Sequence, residues 1–171
     1  MTDKILCRDI DGNPVEATVS ELTFRPSVYG VIIRDGAVLL SRLKDGYDFP
    51  GGGIDLGESI SDALVREVRE ETGVNVEPGE ILLVADNFFF HPVTKKKHHT
   101  ILLFYSCKNP IGDISTAHFH ASDHELGTLK AEWVPLEKAY AAKFFNPIDS
   151  SALIKKALDN IADLQKAYDG E

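Results

Sequence analysis

Apolar positions along the chain fall into two rhythms, and the change between them outlines the fold. Val28–Arg34 (VYGVIIR) and Ala37–Arg42 (AVLLSR) are β-branched and aliphatic runs separated by Asp35-Gly36, which predicts a hairpin with a two-residue turn. Glu80–Phe90 and Thr100–Cys107 read as two further strands joined by the polar segment HPVTKKKHH, and Lys130–Val134 as a short strand carrying the single tryptophan, Trp133. Between the two pairs the period lengthens. After a glycine-rich break at Pro50–Gly53, Leu64 and Val68, with Val65, form a stripe at helical spacing over 61–72. Ser59 or Ser61 suits the N-cap, Asp62 the positive end of the helix dipole, and Gly73 the stop. Leu136–Lys143 and Asp149–Ala167 read as helices; Ile154, Leu158 and Ile161 form the inner face of the second, in a closing segment at 147–168. Residues 1–24 form a leading segment with a turn signal at Asp11–Pro14, and Lys108–Thr128 a long polar loop. Central strands followed by a long closing helix argue a single α+β domain over 1–171, a mixed sheet between helices in an α/β/α arrangement.

Composition narrows the partners. With 27 acidic against 18 basic residues the net charge is −9, so the chain has no general attraction for a polymeric nucleic acid. A small anionic substrate would need cations to bring it to acidic side chains. Cys7 and Cys107 are far apart and belong to no CxxC motif, which predicts free thiols in a reducing compartment. No run approaches the roughly 20 apolar residues of a membrane span, nor does the N-terminus show a signal-peptide core. The expectation is a cytoplasmic protein with no membrane partner.

The stretch Gly52–Val74, GGIDLGESISDALVREVREETGV, carries the chemistry. Glu67, Glu70 and Glu71 stand at i, i+3 and i+4, so three carboxylates leave the helix on nearly one face. Like charges at that spacing repel, and the pattern calls for either a solvated face or a bound cation. Hard oxygen donors of this kind suit Mg²⁺, with Mn²⁺ as a substitute. Arg66 and Arg69 are placed to neutralise part of the cluster, and Glu58, ahead of the helix, is placed to pair with Arg66 and pin the loop.

This stretch resembles the Nudix box, G-x5-E-x7-R-E-U-x-E-E-x-G-U with U a bulky aliphatic residue. Gly52, Glu58, Arg66, Glu67, Val68, Glu70, Glu71, Gly73 and Val74 fill every specified position. Seven fixed identities at roughly one in fifteen each would coincide by chance about once in 10⁸ windows. The upstream VYGVIIRDGAVLLSR, the FPGGG lead-in and the later EWVPLEKA extend the resemblance over about residues 25 to 145. It implies the Nudix fold, with the box as a loop–helix–loop. It further implies metal-dependent hydrolysis of a phosphoanhydride in a nucleoside diphosphate linked to another moiety: a nucleoside triphosphate or oxidised nucleotide, ADP-ribose, or a nucleotide sugar. The resemblance places Glu67, Glu70 and Glu71 as metal ligands and Glu58 and Arg66 as their supports. Glu70 or Glu67 is the first choice for the base that takes the proton of water, with Glu125 and Glu132 as outside candidates.

Other positions are proposed for the substrate. Arg42 and Lys44 lead into the glycine loop of Gly52 and Gly53 and are placed to meet phosphate or sugar, with a solvated surface as the alternative. Phe145 and Asn146 stand where some enzymes of this family read a purine. Phe88–Phe90 are expected to pack mainly in the core, and Lys95–Lys97 to be solvated at a hairpin tip. His118, His120 and His124 form a weak metal pattern. Two other classes compete: a catalytically silent nucleotide-sensing module, and an isomerase of the same fold that would use Cys107. A monomer and a homodimer are equally compatible with the sequence.

Overall fold

The structure, a computed structural model, describes residues 4–43, 45–115 and 130–169, with 164–169 as backbone only. In chain order the strands are β1 (Lys4–Arg8), β2 (Pro14–Thr18), β3 (Leu22–Phe24), β4 (Ser27–Arg34), β5 (Ala37–Leu43), β6 (Gly46–Asp48), β7 (Gly51–Gly53), β8 (Asn75–Phe90), β9 (Lys97–Ile111) and β10 (Lys130–Pro135). The helices are α1 (Ile60–Thr72), α2 (Leu136–Ala139) and α3 (Ser150–Asp169). The main path of the sheet runs β10-β5-β4-β9-β8-β1-β2, with β3, β6 and β7 attached to β9, β5 and β4. The β4/β9, β1/β8 and β3/β9 pairs are parallel and the others antiparallel.

Strand alternation divides the core between two faces. Val28, Ile32 and Leu39 join Ala63, Leu64 and Val68 of α1 on one side. Val31, Val38, Leu40 and Phe104 join Leu153, Ile154 and Ala157 of α3 on the other. Helices therefore cover both faces, as the sequence predicts. Ser59 caps α1 by accepting from the Asp62 backbone N–H at 3.1 Å, and Gly73 closes it with φ 77° and a bond to the Arg69 carbonyl. A Cβ at Gly30 would lie 2.9 Å from Cys107 Sγ and 3.2 Å from Val68, so glycine on β4 lets α1 settle directly on the sheet. Leu64 and Val68 are fully buried there, each contributing roughly 1.5–3 kcal/mol.

The structure corrects the sequence reading in several places. Within the leading segment, residues 4–24 lie at the sheet edge, with β1 and β2 a hairpin and β3 alongside β9. Pro50–Gly53 is not only a break, since Gly51–Gly53 pairs with β4. β8 begins five residues earlier than read, because register shifts around Pro78 and Ile81 absorb the Pro78-Gly79 pair without ending the strand. α2 stops at Ala139 and not at Lys143: the Lys143 carbonyl is taken by the Tyr47 N–H at 2.9 Å, and the Phe145 N–H bonds back to Tyr47 at 3.2 Å. Ala63 and Thr72 complete the buried face of α1 while Val65 is half-buried, and Leu153 and Ala157 carry the inner face of α3 more than Ile161 does.

Candidate active site

β4 and β5 pair at only two positions, Ile33–Val38 and Arg34–Ala37, next to the Asp35-Gly36 turn. Beyond these they part. The inner edge of β4 is taken by β7, with Gly30 donating to the Pro50 carbonyl at 2.9 Å and Ile54 to the Pro26 carbonyl at 3.1 Å. The edge of β5 is taken by β6. The glycine loop is thereby stitched into the sheet directly over α1.

Arg66 organises this loop. Its Nε and Nη2 each donate to Glu58 at 2.8 Å, Nη2 also to the Gly53 carbonyl at 3.0 Å, and Nη1 reaches Glu67 at 2.9 Å and Glu70 at 3.2 Å. The paired guanidinium holds the Glu58 carboxyl below the usual carboxylate range. Burial holds Glu67 above it, opposed by Arg66. Gly52 lies against the Glu67 carboxylate: a Cβ there would sit 2.6 Å from the carboxyl carbon. Glu71 is buried, and its Oε2 accepts from Ser41 Oγ at 2.8 Å and from the Gly51 N–H at 3.1 Å.

Among the described residues no three His, Cys, Asp or Glu side chains meet as ligands around a single point. The donor chemistry nevertheless fits a divalent cation. Oxygens of Glu67 and Glu70 already converge on one positive centre, Arg66 Nη1, and Glu71 leaves the helix a turn further on. The three are hard carboxylate donors of the kind Mg²⁺ and Mn²⁺ take.

A cavity of ≈ 480 Å³ opens beside this helix where β4 and β5 diverge, well within the range of small-molecule sites. Glu71, Ser41 and Gly51 line it next to the box. At its inner end Asp48 accepts from Asn146 Nδ2 at 2.8 Å and from the Phe49 N–H at 2.9 Å, and Tyr29 and Phe145 line the wall beside them. Asp48 keeps some accessible surface, on the cavity it lines, yet desolvation outweighs its hydrogen bonds and pushes its carboxyl up to about 7.

Several predicted residues meet in this region: Glu58, Arg66, Glu67, Glu70, Glu71, Gly52 and Gly53 at the box, Phe145 and Asn146 in the cavity. Two do not. Strand alternation sends Ser41 and Leu43 to the cavity and Arg42 the other way, where it pairs with Glu132 at 3.2 Å. Glu132 alternates on β10 with Ala131 and Trp133, which pack on the α1 side, so it faces away from the box glutamates. There it accepts from Tyr47 at 2.6 Å and meets Lys130 at 3.1 Å, which holds it below the usual carboxylate range. Arg42 and Glu132 thus form an ion pair on the face of β5 and β10 turned away from the cavity lining. Glu125, Lys44 and the histidines at 118, 120 and 124 lie outside the described residues. Cys107 is buried beneath α1 with its thiol pushed up to about 12, which leaves it no part in an isomerase site.

Sequence reasoning missed Arg25, Ser41, Asp48 and the basic end of the cavity. Phe89 lines the cavity instead of the core, and Phe88 stacks on His99 at 4.5 Å. Lys96 lines it as well, whereas Lys97 pairs with Glu21 at 2.6 Å. Period-2 alternation would have found Ser41, which shares its face of β5 with Leu39 and Leu43, opposite to Arg42. For Asp48 and Arg25 no local signal exists.

Residues 23–155 match the NUDIX domain family, and the chain belongs to the Nudix hydrolases. An RNA pyrophosphohydrolase of Teredinibacter turnerae is 41% identical over 78 residues, 43% of this chain and 45% of the relative. The Bacillus subtilis protein YjhB, provisionally named an ADP-ribose pyrophosphatase, is 30% identical over 96 residues, 55% of this chain and 46% of the relative. The matched stretch therefore spans about half the length of these curated relatives. In fold, the MutT protein of Methanosarcina mazei Go1 aligns with a TM-score of 0.58 at 25% identity, over 82% of this chain and 96% of that one. The mixed sheet between helices is the α+β Nudix fold, whose hydrolases generally use divalent metals. No helix among the described residues is long and apolar enough to cross a membrane.

Proposed function

We propose that this chain hydrolyses a phosphoanhydride bond in a nucleoside diphosphate linked to another moiety, with Mg²⁺ (Mn²⁺ in its place) held by Glu67, Glu70 and Glu71. The observation that carries the reading is Glu71, which belongs at once to the box helix and to the wall of the cavity. The cation, when bound, supplies positive charge to the diphosphate and to the attacking water. The chain's own residues do the rest. Glu58 and Arg66 fix the loop so that the carboxylates keep their spacing. Glu67 or Glu70 takes the proton of the attacking water, a step typically contributing on the order of 10²–10⁴ in rate. Asp48 and Asn146 offer hydrogen bonds to a base edge beside Phe145, and the enclosed inner end excludes water from it.

A small nucleotide is the partner this site suits. The net charge of −9 works against a polymeric substrate, and nothing in the reading requires a membrane. The two described cysteines are free and buried, in keeping with a cytoplasmic location, and the reading holds equally for a monomer or a homodimer.

The test is a Mg²⁺-dependent hydrolysis panel with product identification, run beside Glu71→Gln. The panel holds normal and oxidised nucleoside triphosphates, ADP-ribose, nucleotide sugars, NADH, dinucleoside polyphosphates and a 5′-triphosphorylated oligonucleotide. Turnover of a small-nucleotide class, lost in the variant, supports the proposal. Preference for the oligonucleotide overturns the small-substrate assignment. Nucleotide binding with no turnover anywhere replaces the hydrolase with a sensing module.

A further inference from the structure

We propose that the cavity carries a second anion subsite at its far end, so that the preferred substrate bears an additional phosphoryl group on the moiety beyond the scissile anhydride. The inference rests on the hydrolase reading above and names a property of the substrate that the box glutamates do not touch.

The cavity follows β9. Leu102, Thr100 and His98 face it in turn, and four residues of strand separate the first from the last by roughly 14 Å. Leu102 lies opposite Ser27 on β4, one alternation from Tyr29 and the Asp48–Asn146 pair. His98 lies opposite Phe89 on β8, and Phe89 opposite Arg8 on β1. The hairpin of β1 and β2 and the turn between β8 and β9 thus close the far end, bringing Arg8, His91 and Lys96 to the cavity. Arg25 stands between the two ends: a Cβ at Gly53 would meet its guanidinium at 2.7 Å, and its charge acts on both Glu67 and His98.

The charge pattern changes sign along this path. Asp48 and Glu71 mark the near end; cations mark the far end, where Asp9 is the carboxylate in the lining. Asp9 is already committed, accepting from the Asn13 and Asp11 N–H groups and from Asn13 Nδ2 to hold the hairpin turn. Arg8 is steadied by a neutral group, the Gly12 carbonyl at 3.0 Å. Among the described residues neither Arg8, Arg25 nor Lys96 has an ion-pair partner. His91 Nδ1 accepts from the Thr94 N–H, which directs its remaining proton to Nε2. His98 is nine-tenths buried, and its Nδ1 has no hydrogen-bond partner.

In a protein with an excess of acid, cations facing the far end of a cavity, where the carboxylate Asp9 is taken up by its own turn, point to an anion supplied from outside. The diphosphate at the box is served by the metal site and Arg25. A neutral sugar in the far end would leave the guanidinium and ammonium without a counter-charge. The arginine fork of Arg8 and the ammonium of Lys96 suit a phosphoryl group, whose three oxygens can receive both.

The experiment compares matched substrates that differ by one distal phosphoryl. The pair is ADP-ribose and ADP-ribose 1″-phosphate, or a nucleoside 5′-triphosphate and 5′-tetraphosphate if the panel selects triphosphates. The ratio of kcat/KM within the pair is read in the native protein and in Arg8→Gln/Lys96→Gln, with Lys96→Gln alone as the substitute should the double variant fail to fold. The expected ratio is about tenfold or more in favour of the extra phosphoryl, falling as salt is raised and collapsing towards parity in the double variant. A native ratio near or below one, or a preference unchanged in a folded variant, overturns the subsite while leaving hydrolysis intact. Absence of turnover on every panel compound overturns the hydrolase reading and this inference together.

Discussion

Glu71 Oε2 and Ser41 Oγ lie 2.8 Å apart, joining the box helix to β5 on the far side of the gap that β5 leaves on parting from β4. With the Gly51 N–H on the same oxygen, the carboxylate is held from two strands at once. Ser41→Ala removes a donor to a buried charge, a loss of about 1–3 kcal/mol. A lowered denaturation midpoint with reduced kcat is expected. Glu71→Gln keeps an acceptor for both donors, so it should fold normally and lose Mg²⁺-dependent turnover. Near-native rates in folded Glu71→Gln would remove Glu71 from the metal site.

Arg66 and Glu58 act as a unit through a two-pronged contact. Arg66→Lys keeps the charge and loses the fork. Each of Arg66→Lys and Glu58→Gln should lower kcat/KM, and the double variant should fall short of their summed effect by about 0.5–3 kcal/mol. Strict additivity in such a cycle would show that the pair does not position the loop.

Gly52 tests the metal face without touching a charge. An added Cβ meets the Glu67 carboxyl group at 2.6 Å, and the group that must yield is the end of a side chain. Gly52→Ala is therefore expected to keep its melting temperature within a few degrees while losing most activity. A variant as active as the native protein would place Glu67 away from the reaction.

Asp48 predicts an inverted pH dependence. Its carboxyl, ordinarily near 3.8, is pushed up to about 7 in the fold, so the native state keeps a proton that the unfolded chain releases. Stability from this group is present below pH 4 and is lost as pH rises towards 7, after which it is level. Relative to Asp48→Asn, the native protein should weaken across that window in denaturant titrations. A constant difference at all pH values would contradict the assignment. Under the proposed base recognition, KM for a base that presents an acceptor should also rise as Asp48 ionises.

Much of the fold was legible because local pattern and tertiary context agree. The Asp35-Gly36 hairpin, the capped α1 and the central parts of β8 and β9 form where their residues call for them. The box was legible for a related reason: its carboxylates share one helix, so spacing alone places them together. The errors arise where partners distant in sequence decide. α2 is cut short because β6 claims the Lys143 carbonyl, and residues 4–24 supply strands because β8 and β9 offer them edges. Arg42, read as a substrate contact, and Glu132, read as an outside candidate for the base, are brought together by the register of β10 on β5, which their spacing in sequence does not show. Asp48 and Arg25 gained their roles only when the chain closed around the cavity.

Gly51, just ahead of the box, and the box glutamates answer to different demands. Gly51–Gly53 form a strand that completes the edge of β4, and Pro50 receives the Gly30 N–H, so the loop belongs to the sheet whether or not a reaction takes place above it. A Cβ at Gly51 would strike the Val28 carbonyl, whereas one at Gly52 would meet the Glu67 carboxylate. A descendant of this lineage that abandoned hydrolysis would be under pressure to keep Gly51 and free to lose Gly52 together with Glu67, Glu70 and Glu71. In sequence surveys Gly51 therefore diagnoses ancestry, and Gly52 with the glutamates diagnoses an enzyme.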